Sequence, residues 1–537
     1  MKKKALSMLL ITVVVTNLLL GGCSTASNST DKKTSSNLST TGLPIVKDKV
    51  TLKIVSPKDP LAPSYNEMTI FKKLEASTNV HIDWNNIPAA DYQEKKNLLL
   101  ASGDLPDAFY NAGFSDSDLS NSSKDGTIVP LDQLIDKYMP NVKKLLASDA
   151  EIKKTVTSPD GKIYSLPVGE EMGTGQSWIA ANPYFFFINK KWLDKLGLKV
   201  PTTLDELHDD LVAFRDKDPN GNGKKDENPM SFIHMWWCAD IGNFFGSFGM
   251  ADNNDHLAVK DGKIVYTAVQ PEYKKAIEYF SKWVQEGLID KESFTQTKDP
   301  NALFAKGKAN PETLGSFVWW EETEIVGPDR EKDYALVGAL KGPDGQQNIG
   351  RMNGSPVGRG AFVITKTNKN PEITARWIDQ LYEPKMTAQV HWGPIGEVYN
   401  EVNGKLVNKE LAPGVSMGEL RQKVAPNGVG VVTTSDFQNI VDMEARAKVR
   451  MDRVKTFVPY MEKDNIPGLF YTPQEIERKT AIEADLKDYV NKDRAKWLMQ
   501  GGIDSEWDKY LSDVKKIGVD EYVKIIQTAY DRFNKSK

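Results

Sequence analysis

Cysteine and histidine are scarce in this sequence. Among 537 residues there are two cysteines, Cys23 and Cys238, and five histidines. Because Cys23 ends an apolar N-terminal run, Cys238 has no partner for an intramolecular disulfide, and a cysteine zinc cluster cannot form. The histidines lack the paired spacing typical of metal ligands, and the sequence contains no glycine-rich phosphate loop. We therefore interpret Cys238 as a small buried apolar residue.

A strong charge of either sign is also lacking. Lys and Arg number 69 against 73 Asp and Glu, which gives a formal net charge of −4. The two signs are interspersed beyond the N-terminus, so the sequence predicts no nucleic-acid partner. A chain of 537 residues exceeds what one hydrophobic core usually supports. Its length therefore predicts two domains, or two lobes of one unit.

One short motif resembles a catalytic one but lacks its setting. "GVSMG" at residues 414–418 fits the nucleophile-elbow pattern of hydrolases. It follows the polar stretch "NKELAP" instead of a strand, and the last histidine, His391, precedes it. We therefore predict that the protein is not an enzyme. A carbohydrate-active enzyme remains an alternative, because the two carboxylates of a glycoside hydrolase need not be adjacent in sequence.

The first 23 residues carry the longest hydrophobic run. "MKKKALSMLLITVVVTNLLLGGC" has a basic start, an apolar core and small residues before Cys23. This order is typical of a secretory signal peptide, and it resembles a bacterial lipobox. The resemblance implies a lipoprotein signal peptide at residues 1–22, cleavage before Cys23, and a lipid such as palmitate attached at Cys23. An uncleaved anchor helix is the alternative, and either version places the protein outside the cytoplasmic membrane and attached to it.

Beyond the signal peptide, residues 23–46 are rich in Ser, Thr and Asn and predict a flexible tether. From about residue 47, strand and helix patterns alternate: "KVTLKIVS", "TIFKKLEAST", "VHIDWNNI" and a helix ending near Gly103. This repetition predicts an α/β fold with parallel strands and crossover helices. Later helices are predicted to begin at Pro271 and Pro371.

Several stretches resemble one family when taken in order. They are "LLLASGDLPDAFY", "DGKIYSLPV", "FFINKKWLDKLGLKVPTTLDEL", "YKKAIEYFSKWVQEGLID", "AFVITKTNKNPEITARWIDQLY" and "WGPIGE". The chain is similar to extracellular solute-binding lipoproteins of ABC importers, in the large oligosaccharide-binding branch that includes alginate-binding proteins. The resemblance implies a two-lobe, type II periplasmic-binding-protein-like fold with discontinuous lobes joined by a hinge. We expect residues 47–170 and 352–395 to form an N-terminal lobe, and residues 178–350 and 397–537 a C-terminal lobe.

The chain would cross between these lobes at residues 166–184, 350–357 and 393–398. The family function implied is capture of an oligosaccharide and its delivery to the permease subunits of an ABC transporter. The protein would act as a monomer, lipid-anchored on the extracellular face of the cell membrane. A solute-sensing subunit of a membrane receptor is a further alternative.

The stretch "DKDPNGNGKKDENP" alternates oxygen-bearing residues in the way that a calcium loop requires. An EF-hand frame starting at Asp216 also has this spacing, but Asn228-Pro229 disfavours the exiting helix that an EF-hand needs. We prefer the frame starting at Asp218, which resembles the calcium loop of alginate-binding relatives. It predicts a structural Ca²⁺ held by Asp218, Asn220, Asn222, the Lys224 carbonyl, Asp226 and Glu227.

Carbohydrate sites pair aromatic platforms with charged and amide groups. Six tryptophans lie in or beside predicted loops and crossings, together with Arg351, Asn353 and Arg359 near a crossing. Each tryptophan is as well explained by core packing. The predicted ligand-binding residues are Trp178, Trp236, Trp237, Trp319, Trp320, Arg351 and Trp392.

Overall fold

The computed structural model describes residues 37–170, 182–295, 300–411, 417–443 and 445–535. Its strands are β1 Val50–Lys58, β2 Val80–Pro88, β3 Ala108–Tyr110, β4 Leu166–Glu170, β5 Phe185–Asn189, β6 Leu257–Lys260, β7 Lys263–Tyr266, β8 Ser316–Trp319, β9 Tyr334–Val337, β10 Val357–Ile364, β11 Tyr399–Val402, β12 Lys405–Asn408, β13 Gly430–Val432 and β14 Val441–Asp442.

The helices are α1 Thr69–Thr78, α2 Ala89–Ser102, α3 Asp116–Lys124, α4 Asp132–Tyr138, α5 Pro140–Ser148, α6 Ala150–Val156, α7 Lys190–Leu196, α8 Leu204–Asp216, α9 Pro271–Gln285, α10 Asn301–Gly307, α11 Glu322–Val326, α12 Pro371–Asp379, α13 Pro384–Trp392, α14 Met417–Val424, α15 Thr434–Ile440, α16 Ala445–Phe457, α17 Pro473–Gln500, α18 Ile503–Ile517 and α19 Val519–Lys535. Short 3₁₀ helices include Ile241–Phe248 and Val458–Tyr460. Within the described ranges, no helix combines the length and apolar character needed to cross a membrane.

The first lobe is built on a mixed sheet in the order β13-β4-β10-β3-β1-β2. Strands β1 and β2 are parallel over their whole length, and β10 runs antiparallel to both β3 and β4. Neighbouring residues of a strand face opposite sides, so Phe362 joins one apolar cluster while Val363 joins another. Helices therefore cover both faces of the sheet, as the alternating sequence predicts.

The second lobe contains the antiparallel sheet β8-β5-β9 and a bundle of helices. Residues Phe186 and Ile188 of β5 face a large core that includes α9, α17, α18 and α19, while Phe185 and Phe187 face a separate cluster. Helix α9 begins at Pro271 and α12 at Pro371, which confirms both predicted helix starts.

Residues 37–46 depart from the predicted tether. Ile45 and Val46 are fully buried in the first lobe, and the Ile45 amide donates to the Thr78 carbonyl at 2.9 Å. The Arg376 guanidinium also donates to the carbonyls of Ser39 and Gly42. Residues 37–46 are ordered and do not form part of a flexible tether, because burial of Ile45 and Val46 stabilises this otherwise polar segment against the first lobe.

The predicted return of the chain to the second lobe at residue 397 is also wrong. Strand β13 pairs in parallel with β4 in the first-lobe sheet, although residues 430–432 had been assigned to the other lobe. The small sheet β11-β12-β14 belongs with it, since Val432, Tyr399 and Leu406 share one apolar cluster. Gly393 packs against Val398 and Val424 and does not mark a crossing.

Helix α16 forms the later connection between the lobes. Its residues Ala447 and Met451 lie in the cluster attached to the first lobe, whereas Val454 and Phe457 lie in a second-lobe cluster. We propose that residues 37–170 and 357–443 form the first lobe, and residues 182–350 and 458–535 the second. The crossings at residues 166–184 and 350–357 are retained in this proposal.

Candidate functional site

The segment that enters the crossing at residues 350–357 runs beside residues 460–466 of the second lobe. The Ile349 amide donates to the Tyr460 carbonyl at 2.7 Å, and the Glu462 amide donates back to Ile349 at 2.8 Å. Further along, the Gly354 amide donates to the Ile466 carbonyl at 2.7 Å. These bonds hold residues 349–354 and 460–466 together where the chain leaves the second lobe.

A small polar pocket lies against these segments. Its volume is about 20 Å³, which is room for about one water molecule. Burial raises the pKa of Glu462 and lowers the pKa of Arg351, the latter opposed by the nearby Glu151 and Asp464 carboxylates. Carboxylate, amide and guanidinium groups suited to binding hydroxyls line it: Tyr184, Asp252, Asn253, Arg351, Glu462 and Asp464. The predicted ligand residue Arg351 therefore lies in a polar pocket at the crossing of residues 350–357.

The two tryptophans at 319–320 differ in burial: Trp319 lies in the core, and Trp320 is more exposed. Trp319 is 4% exposed in β8 and belongs to the second-lobe core, so its predicted role in ligand binding is not supported. Trp320 is half-buried. The indole N–H groups of Trp319 and Trp320 both donate to Glu324, at 2.8 and 2.9 Å respectively. The Arg450 guanidinium of α16 lies 5.5 Å from the Trp320 ring. Trp320 is thus the member of the pair that is available at the lobe boundary.

The pair at 236–237 lies on a tightly held loop. Trp236 is half-buried against the same cluster as Trp320, while Trp237 is 46% exposed. Met235 has a φ of +56°, and its amide donates to Asp240 at 2.6 Å. The Asn254 amide group donates to the Met235 carbonyl at 3.1 Å. The loop therefore presents Trp237 to solvent from a fixed backbone.

A buried ion pair lies behind this loop. Arg494 of α17 donates to both Asp240 oxygens, at 2.6 and 3.0 Å, and to His234 Nδ1 at 3.2 Å. Burial alone would raise the pKa of Asp240, but the Arg494 charge outweighs it and holds the pKa at about 2. The sequence analysis does not identify Arg494, because no local pattern links it to Asp240, which lies 254 positions earlier in the chain.

The two remaining predicted tryptophans lie elsewhere. Trp392 ends α13 in the first lobe, where its ring contacts Phe437 at 4.6 Å and the Arg421 guanidinium at 5.5 Å. Trp178 lies outside the described residues, as does Cys23. The structure therefore groups Trp236, Trp319 and Trp320, and leaves Trp392 in a separate cluster.

The predicted calcium loop follows α8 directly. Asp218 has a φ of +46°, and its carboxylate accepts the backbone N–H groups of Gly221, Asn222 and Gly223 at 2.9–3.1 Å. Asp216 instead pairs with Arg215 at 2.8 Å and points away from this turn. The residues after Pro229 form isolated bridges and turns and no exiting helix. Both observations favour the frame starting at Asp218.

The donor set of this loop fits a hard cation. Glu227 Oε1 is buried and has no hydrogen-bond partner among the described atoms. Burial raises the pKa of Glu227, and the neighbouring Asp218 and Asp226 carboxylates raise it further. Three carboxylates close together with an unpartnered oxygen form an environment that a divalent cation stabilises.

The arrangement is not yet a closed coordination shell. Within the described ranges, no three carboxylate, imidazole or thiol groups converge at metal-binding distance. The Asn220 and Asn222 amide groups donate to Asp226 at 3.0 Å. A cation would require both amides to present their oxygens instead, which is a rotation of each side-chain amide group.

Comparison with known proteins identifies the family. Residues 61–388 match the model for bacterial extracellular solute-binding proteins. The chain is 41% identical to the fructooligosaccharide ABC transporter substrate-binding protein FusA of Streptococcus pneumoniae over 503 residues, 92% of each chain. This chain is a member of the bacterial extracellular solute-binding protein family. It has the two-lobe α/β fold of that family, as the sequence resemblance implies.

Solved structures agree in fold. FusA in complex with kestose superposes with a TM-score of 0.77 at 40% identity, covering 91% of this chain and 100% of that one. An EF-hand mutant of FusA, in complex with fructo-nystose, gives a TM-score of 0.76 at 40% identity and the same coverage. A more distant relative is the polygalacturonan/rhamnogalacturonan-binding protein YtcQ of Bacillus subtilis, 25% identical over 85% of this chain and 88% of its own length. These relatives are named for binding solutes and not for catalysis.

Proposed function

We propose that this family member captures an oligosaccharide outside the cell and delivers it to the permease subunits of an ABC transporter, acting as a monomer and without catalysis. The observation that carries the proposal is the chain-long similarity to FusA, 41% identity over 92% of both chains. Arg351 in a polar pocket and the exposed Trp237 ring supply the chemistry that a sugar needs. Among the predicted aromatic residues, Trp237 and Trp320 are the best placed to contact ligand.

Ligand class is tested by thermal melting with kestose, fructo-nystose and oligogalacturonides, with maltose as a comparison sugar. A ligand that binds only the folded state raises the melting temperature in proportion to ln(1 + [L]/Kd). We expect kestose to raise it and to be recovered intact by chromatography. Shortened sugar would indicate a carbohydrate-active enzyme, and no shift with any sugar would contradict oligosaccharide capture.

The aromatic contacts are tested by replacing Trp237 or Trp320 with Ala. Stacking of a sugar on an aromatic ring contributes about 1 kcal/mol, so each variant should bind kestose several-fold more weakly in calorimetry. Trp507→Ala is the matched control, since Trp507 packs against Trp497 and Tyr510 within the second lobe. Equal losses in all three variants would indicate a general effect on stability and not a ligand contact.

The calcium assignment belongs to the same proposal. Asp218, Asn220, Asn222, the Lys224 carbonyl, Asp226 and Glu227 would hold Ca²⁺, which would link the end of α8 to the segment that enters Asn228. Support comes from the unpartnered Glu227 oxygen and the three neighbouring carboxylates. The EF-hand named for a FusA variant indicates that a relative has a loop of this general kind. All six proposed ligands come from the protein and three of them are carboxylates that balance the charge of the ion, so the ion would be structural.

We further propose that residues 1–22 are removed and that Cys23 is lipidated, which would anchor the chain to the outer face of the membrane. The lipobox-like "LGGC" sequence supports this proposal. Labelled palmitate should be incorporated into the natural chain and not into a Cys23→Ser variant. Cys238→Ser is the matched control, because Cys238 is fully buried and should have no effect on labelling. Incorporation into Cys23→Ser would contradict the assignment.

A further inference from the structure

Arg359 occupies an irregular part of the first-lobe sheet. Pairing of β10 with β4 includes Gly358↔Val168, then shifts register and resumes at Phe362↔Leu166. Within this bulge Gly360 has a φ of +77°, and a Cβ there would lie 2.1 Å from the Phe114 carbonyl oxygen. Only glycine fits such a position without strain. The bulge turns Arg359 away from the strand ladder and toward α3.

All five N–H groups of the Arg359 guanidinium are used inside the protein. Nε and Nη2 donate to the two oxygens of Asp116 at 2.7 and 2.8 Å. Nη1 donates to the carbonyls of Thr155 and Gly468 at 2.9 Å each, and Nη2 also donates to Leu469 at 2.5 Å. No N–H group of Arg359 is therefore left over to bind a ligand in this conformation.

These contacts hold a point where the chain passes between the two cores. Leu469 is buried in the second-lobe core, while the next residue, Phe470, is buried in a first-lobe cluster. The Arg359 guanidinium lies 4.3 Å from the Phe470 ring centre. The Tyr471 amide then donates to Asp116 at 3.2 Å. Arg359, Asp116 and Phe470, called the Arg359 cluster below, thus tie second-lobe chain to the first lobe.

We propose that Arg359 is a positioning residue for ligand capture, and that the Arg359 cluster is the fixed point about which the second lobe turns. A bidentate arginine–carboxylate pair is strong and directional, and the side chains are only 13% and 18% exposed. Both residues lie in the first lobe, so the pair fixes the guanidinium that binds the Gly468 and Leu469 carbonyls of the passing chain. Opening therefore bends the chain on either side of residues 468–471 while the cluster stays intact. The effect on ligand affinity rests on the proposed function, whereas the effect on the lobe angle does not.

The test measures the lobe angle and ligand binding separately. Spin labels are placed at Leu98→Cys on α2 of the first lobe and Lys515→Cys on α18 of the second, both exposed positions. The full-length chain carries Cys23→Ser and is studied in detergent micelles, while Cys238 is fully buried and inaccessible to the label. Pulsed dipolar spectroscopy then gives the distribution of distances between the lobes, with and without kestose.

The cluster is altered by Arg359→Lys, which keeps the charge but loses the planar fork, and independently by Asp116→Asn. Arg478→Lys is the matched control: Arg478 makes a bidentate pair with Glu521 at 2.8 Å, and both residues lie in the second lobe. We expect the two cluster variants, and not the control, to widen the ligand-free distance distribution. We also expect roughly tenfold weaker kestose binding, since fewer ligand-free molecules occupy the binding-competent angle.

A lower melting temperature with unchanged distance distributions and unchanged kestose affinity would overturn the proposal, because Arg359 would then only stabilise the fold. If Arg359→Lys fails to fold, Asp116→Asn decides the question with the same measurements. If the unaltered chain binds none of the sugars, the proposed function fails, and the ligand-free distances still test the fixed point.

Discussion

At the scale of single residues, the most constrained group is the buried Arg494–Asp240 pair with its neighbour His234. Arg494 is fully buried, and burial together with the Arg494 charge lowers the pKa of His234 to about 4. Histidine is therefore neutral here at neutral pH and accepts a hydrogen bond from the guanidinium through Nδ1. The loop that presents Trp237 thus depends on two protonation states that acid would change.

The second lobe should lose stability in acid, in two stages. His234 and Asp240 both have lower pKa values in the folded state, so the unfolded chain binds protons more readily. Their stabilising effect is complete above the unfolded value for histidine, about pH 6.5. As the pH falls, the part due to His234 is lost between about 6.5 and 4, and the part due to Asp240 between about 4 and 2. Melting temperatures measured from about pH 8 to about pH 2 check both stages.

His234→Gln should reduce the loss of melting temperature between about pH 6.5 and 4, because glutamine keeps an acceptor for Arg494 but does not titrate. His208→Gln is the comparison, since His208 lies at the surface beside Glu286 and should leave the dependence on His234 unchanged. A His234→Gln chain that loses stability between pH 6.5 and 4 as steeply as the natural one would contradict the assignment.

Residue identity alone predicted only part of the candidate site. The doubled tryptophans signalled that one ring of each pair could face outward, because strand residues alternate. Which ring does so depends on partners distant in sequence: Trp319 packs opposite Phe185, whereas Trp320 meets Arg450 of α16. The sequence places Arg359 near a crossing, but it does not reveal that Asp116 and the Gly468 carbonyl take up its N–H groups.

At the scale of elements, the proposed calcium loop rests on a local sequence pattern. Thr203 and Glu206 form a capping box that starts α8, and the helix ends at Asp216 just before the loop. The turn residues and the spacing of the proposed ligands both lie within about ten residues, so the sequence alone is enough to propose a loop that begins at Asp218. Short strands carry no such signal. Strand β13 has three residues, and only its pairing with β4 reveals its lobe.

Removal of calcium should destabilise the end of α8. We expect EDTA to lower the melting temperature and added Ca²⁺ to restore it, because ion binding to the folded state adds stability. Asp218→Asn or Asp226→Asn should abolish most of this difference. Asp216→Asn is the matched control and should retain it, since Asp216 pairs with Arg215 outside the proposed shell. Identical melting with EDTA and with Ca²⁺ would rule out the site.

At the scale of the whole molecule, the two lobes have separate cores joined by few segments. Leu52 is fully buried in the first-lobe core and Leu486 in the second. The family resemblance predicted two lobes, but it could not place the boundaries. Strand β13 pairs with β4 of the first-lobe sheet, and residues 37–46 are held by burial of Ile45 and Val46. Both depend on long-range packing that local sequence patterns do not record.

Separate cores should melt as two overlapping transitions. Leu→Ala substitution at a buried site costs about 2–5 kcal/mol. Leu52→Ala should therefore lower the transition of the first lobe and Leu486→Ala that of the second, as resolved by differential scanning calorimetry. If each substitution shifted a single transition by the same amount, the lobes would behave as one cooperative unit, contrary to this expectation.

The position of β13 in the first-lobe sheet has a consequence for biosynthesis. This edge strand, residues 430–432, pairs with β4, which precedes it by some 260 residues in the chain. The second-lobe core similarly needs Ile526 and Tyr530 near the C-terminus. Neither lobe can complete its core on the ribosome until most of the chain has been made. The nascent chain thus stays incompletely folded through most of its synthesis, when a chain bound for export must still pass through the membrane unfolded.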